Sequence, residues 1–188
     1  MRKWKNKLIL AIGFLLLLGG TSASAVSSAP ERPPLTDTVY LSLDGVPGES
    51  TARGYERWIE LTGVEFGVSN SSASPGGSGS VAGRASVDSF SVSKRLDSAS
   101  PLLLQAALTG RAAKSGKLVF LKPGESPAPR LSIDLGAVSV TDYAFDNAHE
   151  TVRFKFDAIQ FSYFPTLPNG TKAPPVAANW NFKVNAPR

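Results

Sequence analysis

Three stretches of this chain alternate apolar and polar residues as strands do, and in each the alternation slips by one residue midway. Ile59 and Leu61 share a phase, and beyond Gly63 the apolar set becomes Val64, Phe66 and Val68. Leu131, Ile133 and Leu135 give way after Gly136 to Val138 and Val140. Val152, Phe154 and Phe156 give way after Asp157-Ala158 to Ile159, Phe161 and Tyr163. Strand side chains repeat every two residues, so a slip sends the rest of the strand to the opposite face unless a bulge absorbs it. Two architectures satisfy this. Long bent strands serve two sheets or close a barrel, or each stretch is a pair of short strands.

The remaining elements agree with a β fold. Val39, Leu41 and Leu43 alternate and stop at Gly45-Val46-Pro47-Gly48, while Val87, Phe90 and Val92 mark a strand after a Ser/Gly-rich stretch. The exception lies between Ser100-Pro101 and Gly110, where Leu102, Leu103, Leu104, Ala106, Ala107 and Leu108 predict a helix over Pro101–Thr109. Pro in the first turn and Gly just past the end suit its two termini. It is apolar nearly all round, so it needs cover from its own sheet and from something more, such as a second subunit. The expected order is β-β-long loop-β-α-β-β-β, ending in a short strand near Trp180–Val184. That is a mainly β fold: a compact antiparallel β-barrel or two-sheet sandwich with one flanking α-helix.

The first 25 residues read differently. Arg2, Lys3, Lys5 and Lys7 precede a 13-residue uncharged run, Leu8–Gly20, and Ala23-Ser24-Ala25 follows. This is the pattern of a secretory signal peptide with Ala23 and Ala25 at the cleavage site. The run falls short of the ~20 residues of a membrane-spanning helix, the alternative being an uncleaved anchor. The membrane is thus expected to matter only during export, and the mature protein to be secreted, periplasmic or part of the cell envelope. Residues 26–37, with Pro30, Pro33 and Pro34, read as a flexible leader, and 38–188 as the folded domain. Removing the four leader cations from 20 leaves 16 against 15 acids, a net charge of +1. That takes away the electrostatic case for a nucleic-acid partner.

Composition removes most catalytic chemistry. There is no Cys and a single His, which excludes thiol catalysis, disulfides, Cys-bound zinc and multi-His metal sites. His149 lies in the polar connection Asp146-Asn147-Ala148-His149-Glu150 and reads as a solvated turn residue, with no nucleophile elbow anywhere in the chain. Gly77-Ser78-Gly79-Ser80-Val81-Ala82 approaches a dinucleotide fingerprint, but a β pattern follows it where a helix N-terminus is required. Asp44, Glu49, Glu60, Glu65 and Asp88 are dispersed, and Trp58, Tyr143, Tyr163 and Trp180 form either a sugar platform or ordinary strand packing. The expected catalytic, cofactor and metal sites are therefore none. Asn70–Arg84, rich in Ser and Gly, reads as a long flexible loop. Its Ser71, Gly76, Gly77, Gly79 and Gly83, with Leu103 and Leu104 of the helix, are the candidate subunit-interface residues.

Several motifs resemble one family in order and spacing. Gly45-Val46-Pro47-Gly48-Glu49-Ser50 is similar to the Gly-x-x-Gly-Glu-Ser turn of the haemolysin-coregulated proteins, the tube proteins of type VI secretion. Phe90-Ser91-Val92-Ser93-Lys94, then Asp97 through Gly110, resembles that family's strand and Ser-Pro-Leu-Leu helix ending in Thr-Gly. The Ser/Gly loop stands where the family carries its extended loop, and Phe161-Ser162-Tyr163 through Asn169-Gly170 to Trp180-Asn181 resembles its C-terminal end. The resemblance covers about Thr38 to Val184. It implies a two-sheet barrel and a non-enzymatic subunit of hexameric rings that stack into a tube, with itself and secreted effector proteins as partners. The leader departs from the pattern, since tube subunits assemble in the cytoplasm without a cleavable export signal. A second class of function therefore stands beside the first: an exported β-sandwich binding module, for an envelope or glycan ligand, that keeps the fold without tube assembly.

Overall fold

The computed structural model describes residues 37–71, 83–123 and 128–187. The signal peptide with Ala23 and Ala25, nearly all of the 26–37 leader, and Gly76, Gly77 and Gly79 lie outside the described residues. In chain order the elements are β1 (Thr38–Leu43), β2 (Ile59–Leu61), β3 (Gly63–Asn70), β4 (Ala85–Arg95), α1 (Ser100–Thr109), β5 (Ala112–Leu121), β6 (Leu131–Asp146), β7 (His149–Tyr163) and β8 (Val176–Asn181). All pairings are antiparallel, in the order β2-β1-β5-β6-β7-β4-β3, with β8 also on β7. Only Thr62 separates β2 from β3, the two ends of that order. The sheet therefore curls round on itself as a barrel, and α1 lies against β6.

The three phase slips are the corners of this curled sheet. At the first, β2 pairs with β1 while β3 pairs with β4, so Thr62 marks a change of partner. At the other two, β6 and β7 switch together. Leu135 faces Ile159 and Gly136 faces Ala158 on one side of the switch, and Val138 faces Phe156 on the other. The register is unchanged across the switch, so no residue is inserted there. Ala137 takes φ 50 and turns the chain over instead. A bulge does occur, but farther on, between Val140 and Asp142. β7 also exchanges neighbours at the corner: β4 pairs with residues 149–153 and β8 with residues 158–163. Both apolar sets consequently enter one interior, where Leu41, Leu118, Ile133 and Leu135 meet Val92, Val138, Val152 and Phe154. Phe161 and Tyr163 keep their phase but are 37% and 45% exposed.

Two expectations need correction. The strand β5 does not alternate and is absent from the sequence reading. Its Leu118 faces the barrel interior, while Val119 packs outside with Tyr40 and Tyr55 beneath the β1–β2 connection. With both faces covered, the polar half of the pattern has no reason to exist. The final strand is Val176–Asn181, and Phe182 to Asn185 form a turn beyond it.

The β1–β2 connection is held tightly. Tyr55 stacks on Tyr40 at 5.4 Å and meets Trp58 edge-on at 5.2 Å. Gly48 donates its N–H to the Arg57 carbonyl at 2.8 Å, and Ser50 donates to that of Trp58 at 3.0 Å. A Cβ at Gly48 would run into the Trp58 carbonyl and the Ile59 Cα, both backbone atoms that cannot swing aside. Gly48→Ala is expected to lower stability by about 1–3 kcal/mol through this overlap. Chemical denaturation of the two proteins measures it, and an unchanged midpoint would show that the loop yields freely.

Candidate assembly surface

The helix buries one side on the barrel and leaves apolar residues of the other side exposed. Pro101 occupies its first turn, and Gly110, at φ 66, closes it by donating its N–H to the Ala106 carbonyl at 2.9 Å. Leu103 is fully buried, and Ala106 and Ala107 pack on the same core. Leu104 is 42% and Leu108 79% exposed. One turn apart, they share a face that no other element covers among the described residues. Leu103 therefore belongs to the subunit's own core and presents no surface to a neighbour. Of the two helix candidates, Leu104 is the one at the surface, and Leu108 joins it.

What holds the helix at this angle is a buried cluster of charges that the sequence reading missed. Lys94 of β4 and Glu150 of β7 are direct cross-strand partners. Their charged groups meet at 2.5 Å with side chains only 1% and 0% exposed. Lys94 Nζ also lies 2.8 Å from Asp97 Oδ1 and donates to Ser100 Oγ at 3.0 Å and to the Arg95 carbonyl at 2.7 Å. Tyr143 of β6 donates a short hydrogen bond to the other oxygen of Glu150. Ser100 Oγ accepts the Asp97 N–H, and Asp97 Oδ1 accepts that of Ala99. From the neighbouring loop, Glu49 accepts the Ser98 N–H at 2.9 Å. The helix thus starts without a side-chain cap on its first residue and is pinned by two strands and a loop. A signal for this existed: Lys94 shares the inward phase of Phe90 and Val92, and Glu150 that of Val152 and Phe154.

Burial alone pushes the Glu150 carboxyl up. The hydrogen bonds from Lys94, Tyr143 and Ser100, with the lysine charge, outweigh it and leave the group below its ordinary value. The Tyr143 hydroxyl is pushed up to about 12 by burial first and by its bond to the Glu150 carboxylate second. The depressed acid contributes stability above its unfolded value of 4.5, which is lost as pH falls through the lower folded one. The raised tyrosine contributes below 10 and loses its contribution as pH rises toward about 12.

The neck of the long loop is also ordered. Ser71 donates its N–H to the Arg84 carbonyl at 3.3 Å, and Ser69 Oγ donates to Asp88 Oδ1 at 2.6 Å. Ser71 and Gly83 thus stand at this neck. His149 is exposed at the β6–β7 hairpin, with Nδ1 3.3 Å from the Asn147 carbonyl oxygen. Among the described residues no cluster of three or more His, Asp or Glu side chains is arranged to hold a metal ion. Trp58 packs on Tyr55 and Tyr143 bonds Glu150, so these two aromatics are engaged internally.

Lys94→Met would leave the Glu150 carboxylate buried without its cation, a change that typically costs about 3–5 kcal/mol. Denaturation of this variant is expected to show that loss at pH 7. In the native protein, stability should hold between about pH 5 and 10 and fall outside that window, following the two shifts. A variant as stable as the native chain, with an unaltered acid limb, would contradict the role given to the pair.

Comparison with known proteins matches these motifs and this fold together. Residues 40–163 match the family model described as "Type VI secretion system effector, Hcp". No curated protein sequence matches the chain significantly. Among solved structures, a type six secretion system protein is 25% identical, with a TM-score of 0.73 over 81% of this chain and 99% of that one. Hcp1 from Salmonella typhimurium is 23% identical, with a TM-score of 0.66 over 82% and 100%. A type VI secretion system effector from Yersinia pestis is 24% identical, with a TM-score of 0.59 over 76% and 98%. The last two likenesses concern the fold. The family model spans well over half of the chain, and on that ground the chain belongs to the Hcp family of type VI secretion system proteins.

Proposed function

We propose that this chain is an exported, non-enzymatic structural subunit that assembles through its helix face and loop neck into a hexameric ring. One observation carries the reading. The helix of an Hcp-family barrel is rigidly anchored from below and leaves Leu104 and Leu108 uncovered above. Exposed leucines held on a rigid frame lose little entropy on association, which favours a lasting contact over a transient one. A ring needs two different patches on each subunit, and the helix face and the loop neck meet that need. A mature net charge of +1 opposes association only weakly. Export rests on residues 1–25, with Ala23 and Ala25 at the cleavage site, residues 26–37 as a leader and 38–188 as the barrel domain. It directs the protein to the periplasm, the envelope or the outside, with secreted effector proteins as further partners of the ring.

A second reading has its own support. Phe66, Val68, Phe161, Trp180 and Phe182 line an uncharged groove of about 480 Å³ walled by residues of β3, β7 and β8. Such a groove suits a monomeric exported binding module for an apolar face of an envelope or glycan ligand.

Light scattering on protein beginning at Val26 is expected to give about six times the monomer mass. Leu104→Asp with Leu108→Asp should release monomers that stay folded and lose only the stability supplied by assembly, whereas Leu103→Asp should unfold the chain. A native protein that stays monomeric across the micromolar range while binding envelope glycans would favour the second reading. N-terminal sequencing of the exported protein should begin at Val26, and an intact Met1 end held in the membrane fraction would reverse the export claim.

A further inference from the structure

Beyond β8 the chain makes a turn whose purpose the barrel does not explain. Asn181 Oδ1 accepts the N–H groups of Lys183 and Val184 at 2.9 and 3.3 Å. Asn181 and Ala186 then exchange backbone hydrogen bonds in both directions. Between them Asn185 is held at φ 54, in the left-handed region where asparagine is one of the few tolerated side chains. In this posture its amide reaches across a hundred residues of sequence. Oδ1 accepts the Ala85 N–H at 3.0 Å, and Nδ2 donates to the Gly83 carbonyl at 3.3 Å. Both contacts fall at the C-terminal side of the loop neck, one residue on either side of Arg84, whose carbonyl receives Ser71.

A side-chain amide that both accepts from and donates to the backbone mimics a strand partner. It stands where β4 starts and where its only ladder neighbour is β3. We propose that Asn185 is a positioning residue that fixes the neck of the Ser71–Gly83 loop, so that the strength of subunit assembly depends on the C-terminal turn. This rests on the assembly reading given above. Asn185 lies outside both proposed contact patches and couples the C-terminal end of the described chain to one of them. Asparagine is suited to this for two reasons at once, its left-handed backbone and its paired donor and acceptor. Aspartate keeps the backbone and the acceptor alone. Glycine keeps the backbone alone.

The test uses the mature protein and three sequences: native, Asn185→Gly and Asn185→Asp. Hydrogen exchange at the Ala85 amide reports the neck, exchange at Val152 reports the core, and light scattering reports assembly. Asn185→Gly is expected to speed Ala85 exchange at least tenfold, leave Val152 exchange and melting unaltered, and weaken assembly about tenfold. Asn185→Asp should retain most of the Ala85 protection and fall between the two in assembly. An Ala85 amide that exchanges at the native rate in Asn185→Gly would overturn the proposal. So would faster exchange with no change in assembly, because the neck would then be ordered to no effect. A native protein that never assembles would instead refute the assembly reading, with the neck clamp still judged by exchange at Ala85.

Discussion

The cross-strand pair of Lys94 and Glu150 is the point on which the rest of the molecule turns. It joins β4 to β7 where those strands run together, and through Ser100 and Asp97 it reaches the start of the helix. Taking two charges out of water is costly, and an apolar pair of similar volume is often as stable. What an apolar pair cannot supply is direction. The lysine has three protons, and here its neighbours include two carboxylates, a hydroxyl and a carbonyl, each on a fixed atom. The helix axis is therefore set by hydrogen-bond geometry as well as by the packing of Leu103. A helix this short and this apolar would otherwise have many ways to lie on a β surface.

The residues that carried the family resemblance gain a shared physical meaning from this. Gly48 allows the β1–β2 connection to lie against the Trp58 backbone, and Glu49 beside it accepts the Ser98 N–H ahead of the helix. Lys94 ends the Phe-Ser-Val-Ser-Lys segment, and Ser100 opens the Ser-Pro-Leu-Leu helix. Segments far apart in the chain thus converge on one task, the placing of the helix. Its exposed leucines are held in a fixed frame, as the proposed contact between identical subunits requires.

Legibility in the sequence followed burial. The helix was readable because Pro101 and Gly110 mark its ends, and β1, β4, β6 and β7 because one face of each is polar. The slips were readable, but which architecture each one meant was not: at Thr62 the stretch is two short strands with different partners, whereas β6 and β7 each run through as one long strand. Their mechanism was not readable, since an alanine at φ 50 leaves no trace in composition. β5 escaped because Leu118 and Val119 are buried on opposite faces, so its end looks like any short apolar run. The Leu103 and Leu104 pair could not be divided into inward and outward residues by a pattern that is apolar all round. The anchor went unread for another reason. Lys94 and Glu150 each carry the inward phase of their own strand, yet only the pairing of β4 with β7 shows that they cancel each other.

The central claim is that an anchored barrel of this family, exported and freed of its leader, closes into a ring. Electron micrographs of purified protein beginning at Val26 test it most directly. Class averages are expected to show annular particles with six equivalent densities, lost when Leu104 and Leu108 are both replaced by Asp. Uniform particles of single-barrel size in the native sample, at concentrations well into the micromolar range, would contradict it.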